Sequence, residues 1–253
     1  MIDLKGKRGL IIGVANEASI AYGCAKIMYS AGAELAITYL NAKAEPYVRP
    51  LAEAMNSPII VPCDVEVEGQ LEAVFEVIAQ QWKTLDFVVH SIAYAPKDDL
   101  HGRVIDCSLD GFLRAMNVSC HSFIKASKLA EPLLEKGGTL ITMTFQGSQR
   151  VVPHYGLMGP VKAALEAAVK YLAVELGEQG IRVHAISPGP LETRAASGII
   201  HFSDMLYESR RRAALHQKIS IDDVGNIATM LVSDEANSLT GNIIYVDGGY
   251  NIV

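Results

Sequence analysis

Along nearly the whole of the 253-residue chain, short and continuously apolar runs alternate with longer stretches in which apolar residues recur every three or four positions. This alternation constrains the fold more than any other feature. A run such as RGLIIG (8–13) has no polar position to turn toward water, so as a strand it must be covered on both faces. Further runs of this kind lie at 34–39, 58–62, 85–90, 138–144, 181–186 and 242–246. The intervening stretches 19–31, 43–55, 67–82, 108–133, 155–178 and 222–233 have the spacing of helices that turn one stripe to a core. Parallel strands need crossovers to return the chain to the same edge, and helices on both faces supply them. One segment, 187–220, has a weaker period, and long irregular segments in such folds often act as lids.

The first strand-to-helix turn, GLIIGVANEASIAYG, closes its strand with Gly13 and places Ser19 to cap the following helix, ahead of Ile20. Free backbone N–H groups and the helix dipole favour an anion there, which is where a dinucleotide pyrophosphate sits. The expected fold class is therefore α/β, a single Rossmann-type doubly wound parallel sheet of about seven strands flanked by helices, with 1–253 as one domain. The end of the second strand selects between cofactors by an acid on a ribose or a cation on its phosphate. Leu40 is neither, and Asn41 and Lys43 follow it, so NADH or NADPH remains open. Asp64 and Val65 come directly after the third strand, where a carboxylate either accepts from an adenine amino group or forms a turn.

A net charge of −6 argues against a nucleic-acid surface, which needs a basic footprint. No run approaches the roughly 18 to 20 apolar residues of a membrane span, and MIDLKGKRGLIIG enters a strand without a signal-peptide pattern. No membrane association and a cytoplasmic location are expected. Cys24, Cys63, Cys107 and Cys120 are far apart, and no His cluster has metal-ligand spacing, so thiols rather than a disulfide or metal site are expected.

Four blocks carry a resemblance: GVANEASIAYG (13–23), HSIAYAP (90–96), PHYGLMGPVKAALEA (153–167) and GPLETRAASGI (189–199). In this order they resemble the short-chain dehydrogenase/reductase superfamily and, within it, the bacterial enoyl-acyl-carrier-protein reductases. The resemblance implies reduction of the trans-2 double bond of an enoyl thioester by hydride from NADH or NADPH, with acyl-carrier protein as partner and a homotetramer as assembly. It implies a catalytic set of Tyr155, Lys162 and the Phe145 position. Cofactor contacts are implied for Gly13, Ser19, Ile20, Leu40, Asp64, Val65, Ile92, Lys162, Leu191, Glu192, Thr193, Arg194 and Ala195, and substrate contacts for Ala95, Tyr155, Ala196, Ile200 and Phe202. The segment from about 190 to 216 is the implied substrate-binding loop and helix.

The seven-residue separation of Tyr155 and Lys162 has a chemical reading. A ketone reductase needs its acid on the oxygen of the carbon that takes the hydride. An enoyl thioester takes hydride at its β-carbon and develops charge on the thioester oxygen, two carbons further along, so the donor must be displaced. By resemblance Lys162 holds ribose hydroxyls and makes the tyrosine a better donor. Pro160 is tolerated only in a first turn, so the regular helix is expected to begin near Gly159 with Tyr155 on its lead-in.

Four positions depart from the family pattern. Phe145 stands where many members have a second tyrosine, Ala93 stands where glycine is common, and Glu192 and Arg194 replace a basic and an apolar residue. Arg210, Arg211, Arg212 and Lys218 form a basic patch suited to an acidic carrier protein. A short-chain carbonyl or alcohol oxidoreductase and a non-catalytic nucleotide-binding homologue remain alternatives.

Overall fold

The computed structural model describes residues 2–135, 137–193 and 201–253. Its strands are β1 (Arg8–Ile12), β2 (Glu34–Tyr39), β3 (Ile59–Pro62), β4 (Phe87–His90), β5 (Gly138–Met143), β6 (Ile181–Pro188) and β7 (Ile243–Val246). They form one sheet in the order β3-β2-β1-β4-β5-β6-β7, every pair parallel. This is the expected doubly wound Rossmann-type sheet of seven strands, with each strand close to its expected place. The helices are α1 (Ile20–Ser30), α2 (Glu45–Ala54), α3 (Gln70–Gln81), α4 (Lys97–His101), α5 (Leu109–Met116), α6 (Ser122–Ala130), α7 (Met158–Glu175), α8 (Phe202–Arg212) and α9 (Ile221–Val232).

Alternation along β1 divides the core. Leu10 and Ile12 face the side that Phe123 of α6 and Leu165 of α7 cover. Ile11 faces the side covered by Ala21 and Cys24 of α1 and Val224 of α9. On that second side α1 and α9 meet backbone to backbone: a Cβ on Gly225 would lie 2.5 Å from the Gly23 carbonyl oxygen. Strand order reverses between β1 and β4, where open α/β sheets leave a crevice beyond their carboxyl ends. Gly13 has φ +106° there, and a Cβ would lie 2.2 Å from the Ser91 carbonyl oxygen, so only glycine fits.

One element differs from the sequence-based expectation. The stretch 108–133 is not one helix: α5 and α6 are separated by a π-helical segment, Asn117–His121, and a 3₁₀ turn follows at Glu131–Leu133. Within it the Ser119 hydroxyl accepts from the Tyr94 N–H and donates to the Tyr94 carbonyl. Apolar spacing does not register a change from four-residue to five-residue bonding. The segment from about 190 to 216, expected as a substrate-binding loop and helix, includes α8, a helix of 11 residues. Cys24, Cys63, Cys107 and Cys120 are free thiols. Among the described residues no helix is long and apolar enough to cross a membrane.

Two histidines are sealed in the sheet, His90 at 1% and His184 at 0% exposure. The Ser122 hydroxyl donates to the Val118 carbonyl, so it accepts from His90 Nε2–H at 2.8 Å, and Nδ1 accepts from Thr142 Oγ1 at 3.2 Å. Burial, and then the Lys162 charge, holds His90 down at about 3; burial and Arg182 hold His184 at about 4. Between these values and the ordinary 6.5 the unfolded chain binds more protons, so stability present above pH 6.5 is lost as pH falls toward 4 and then 3. Thermal melts are expected to show a fall on acidification worth about 2 kcal/mol per histidine by pH ~5, and His184→Leu should reduce it. An unchanged acid dependence in that variant would remove His184 from the account. Gly225→Ala is expected to cost about 1–3 kcal/mol in urea unfolding through the α1–α9 contact, and an unaffected midpoint would contradict it.

Candidate active site

Beyond the carboxyl ends of β1, β4, β5 and β6 lies a cavity of about 370 Å³. Its walls come from five places: Ile20 at the start of α1, residues 91–95 after β4, Phe145 after β5, Leu191 and Thr193 after β6, and Phe202 with Met205 on α8. Tyr155 and Lys162 line it as well. Most of the lining is apolar, which suits a fatty chain more than a polar substrate.

Tyr155 sits on the lead-in to α7, whose regular turns begin at Met158, so Pro160 falls in the first turn as expected. Only 8% exposed, the tyrosine is held between two residues of the loop after β5. The Phe145 ring meets it edge-on, with centroids 5.0 Å apart and planes at 63°. Gly147 lies against its ring, where a Cβ would come within 2.4 Å of Cδ1. Burial, and then the Glu166 charge, pushes the Tyr155 hydroxyl well above its ordinary range. Tyr155 is therefore a protonated donor at neutral pH.

Lys162 is 4% exposed and its ammonium donates to the Met143 carbonyl at 2.7 Å. Desolvation lowers it to about 8, against the opposing influence of Cys120 and Glu166. A lysine in this setting is far from the solvated surface lysine that a lone Tyr/Lys pair would otherwise suggest. It brings one proton-bearing cation to the cavity wall beside the tyrosine.

The residues assigned to a dinucleotide fall into two groups. Ile20, Ile92, Lys162, Leu191 and Thr193 line the cavity. Gly13, Ser19, Leu40, Asp64 and Val65 lie outside it, along the same carboxyl edge of the sheet. Ser19 does not cap α1, which corrects the sequence reading: its hydroxyl donates to the Asn16 carbonyl at 2.7 Å. With neither a side-chain cap nor an acid in its first turn, the α1 N-terminus keeps donors for an anion. The residues present thus fit a dinucleotide pyrophosphate. Leu40 is 52% exposed at the end of β2. Asp64 Oδ1 accepts from the Glu66 N–H at 3.0 Å, the turn role left open beside the adenine one.

Glu192 is exposed and pairs with Lys218 at 3.1 Å rather than lining the cavity. Of the substrate residues, Ala95, Tyr155 and Phe202 reach the cavity, together with Ala93. Arg194, Ala195, Ala196 and Ile200 lie outside the described residues. Sequence reasoning missed Leu100 of α4, Met143 and Met158, which also line the cavity. The five-residue α4 had a faint signal in Pro96 followed by Asp98 and Asp99 in a first turn.

Comparison with known proteins gives the family of the chain. A family model described as Enoyl-(Acyl carrier protein) reductase matches residues 13–251. The enoyl-[acyl-carrier-protein] reductase [NADH] 2 of Rhizobium meliloti is 48% identical over 98% of this chain and 93% of its own length. A crystal structure of the Anaplasma phagocytophilum reductase in complex with NAD superposes with a TM-score of 0.95 at 47% identity, covering 99% of this chain and 95% of that one. The Bacillus cereus reductase with NADP+ and an indole naphthyridinone gives 0.97 at 44% identity, covering 100% and 99%.

Proposed function

The chain belongs to the enoyl-(acyl carrier protein) reductase family, and from that premise we propose how its own residues carry the reaction. The protein is an enoyl-[acyl-carrier-protein] reductase that reduces the trans-2 double bond of enoyl thioesters in fatty-acid elongation with NADH or NADPH. The observation that carries the residue assignment is the meeting of Tyr155, Lys162 and a mostly apolar wall in one cavity at the strand switch point.

Gly13, Ser19 and Ile20 hold the pyrophosphate end of the cofactor at the start of α1, while Leu40, Asp64 and Val65 flank its adenosine half. Ile92, Lys162, Leu191 and Thr193 hold the nicotinamide half, and the family resemblance assigns Glu192, Arg194 and Ala195 to the cofactor as well. When bound, the cofactor supplies a hydride to the β-carbon of the substrate. Tyr155 donates a hydrogen bond to the thioester oxygen, where negative charge grows as the double bond is lost. Its raised hydroxyl keeps that proton available, and the neighbouring Lys162 charge offsets the developing anion. Phe145 has no proton to give and serves by fixing the tyrosine ring. Ala95 and Phe202 flank the acyl chain, Ala196 and Ile200 are assigned to it from the family resemblance, and the substrate-binding segment is taken as about 190 to 216 of a one-domain chain.

Acyl-carrier protein delivers the substrate, and the basic end of α8 is its proposed landing point. Arg212 is committed elsewhere, donating to the Val253 carbonyl at 3.0 Å and lying 5.8 Å from the Tyr250 ring centroid. Arg211 pairs with Glu208 at 2.8 Å, and Arg210 stands beside it. A homotetramer fits the outer face of α7, where Ala163, Ala167, Tyr171 and Val174 form an exposed apolar stripe opposite the buried one. A helix apolar on both faces is expected to be covered on both.

Nicotinamide oxidation followed with crotonyl or longer trans-2-enoyl thioesters, against a panel of ketones, tests the assignment. Enoyl turnover without ketone turnover is expected; ketone turnover alone, or cofactor binding without turnover, would overturn it. Tyr155→Phe and Lys162→Ala should each lower kcat by about 10²-fold or more, and unchanged rates would dismiss their roles. Arg210→Glu with Arg211→Glu should raise KM about tenfold for carrier-linked substrate and little for a soluble thioester. Equal effects on both substrates would remove the docking site.

A further inference from the structure

The helix that carries Lys162 buries a second ionisable side chain one turn later, which the reaction above does not use. Glu166 is 3% exposed and lies between the buried Leu165 and Val169 of α7. Packing alone would be served by an apolar residue at such a position, and a buried carboxylate is costly unless fully bonded. Glu166 is bonded by three neutral donors. Its Oε1 accepts from Thr144 Oγ1 at 2.7 Å and from the Ser148 hydroxyl, and its Oε2 accepts from Gln149 Nε2 at 2.7 Å.

All three donors belong to the loop that follows β5. The same few residues include Phe145, edge-on to Tyr155, and Gly147, in contact with the tyrosine ring. The Gly147 carbonyl also lies within 3.0 Å of where a Cβ on Gly159 would sit, so the loop is pressed on the first turn of α7. On the reading of Tyr155 and Lys162 given above, we propose that Glu166 is a positioning residue for the reduction: its carboxylate fastens the 144–149 loop to α7, so that Phe145 and Gly147 hold the Tyr155 ring.

The charge of Glu166 also acts on the site. It opposes the desolvation of Lys162 and adds to the upward push on Tyr155. The other titratable groups acting on Lys162 come from the π-helical segment and from β4. Cys120, whose thiol burial raises, opposes the desolvation of Lys162 only as it ionises at alkaline pH, and His90 is held neutral above about 3. Among these neighbours Glu166 is the anion. Removing its charge lowers Lys162 further, and the loss of the cation on alkalinisation then begins at lower pH.

The test is steady-state kinetics of the purified full-length Glu166→Gln and Glu166→Ala enzymes from neutral to alkaline pH, with Tyr155→Phe measured alongside. Glu166→Gln keeps an acceptor oxygen but turns an amide N–H₂ toward a donor and removes the charge. Its kcat is expected to fall about tenfold with KM for the enoyl thioester within about twofold, and its alkaline limb to move to lower pH. Glu166→Ala should fall further, about a hundredfold, if it folds, and the glutamine variant decides the matter if it does not. A fall in melting temperature with kcat and alkaline limb unchanged would mark Glu166 as merely structural and overturn the proposal. Undiminished turnover by Tyr155→Phe would instead sink the reading of the tyrosine, while the alkaline limb of Glu166→Gln still judges Glu166.

Discussion

A lysine ammonium sealed from water at the end of a central strand is the constraint around which this molecule is arranged. Lys162 is 4% exposed, and its ammonium donates to the Met143 carbonyl. Keeping even partial charge there requires a strand end that presents a carbonyl, a helix that brings the lysine in from the correct side, and an anion nearby. The parallel sheet supplies the first, α7 the second and Glu166 the third. Because Glu166 is itself satisfied by the loop after β5, the cost of one buried charge is offset through bonds that order the loop holding Tyr155. The fold and the site are therefore coupled through a few hydrogen bonds on one face of one helix.

The sheet was legible because strands buried on both faces leave an unbroken apolar record. Each of the seven runs became a parallel strand within a residue or two of its expected ends. The helices on either side were legible for the same reason, with one failure. Hydrophobic spacing over 108–133 conceals the π-helical turn at Asn117–His121, because apolar spacing does not distinguish four-residue from five-residue bonding. The cap expected of Ser19 failed similarly: its hydroxyl found a nearer carbonyl at Asn16, leaving the helix donors to an anion.

The chemistry was legible to a different depth. Tyr155 and Lys162 stood out by their spacing and by the blocks around them, and the cavity brings them together with Ile92, Phe202 and Leu191 from segments far apart in sequence. Their charge states were not legible. Those depend on burial and on Glu166, whose role rests on three loop side chains brought to it by the turn after β5. The Phe145 position, which looks like a lost functional group in the sequence, is in the structure a ring that braces the tyrosine.

The central claim is that hydride arrives at the β-carbon while Tyr155 stabilises charge on the thioester oxygen two carbons away. Reduction of a trans-2-enoyl thioester with nicotinamide cofactor deuterated at the transferring position, in ordinary water, tests it most directly by locating the label in the product. The account predicts deuterium at the β-carbon alone, with the α-carbon taking its proton from solvent. Deuterium on the former carbonyl carbon, or at the α-carbon, would contradict it.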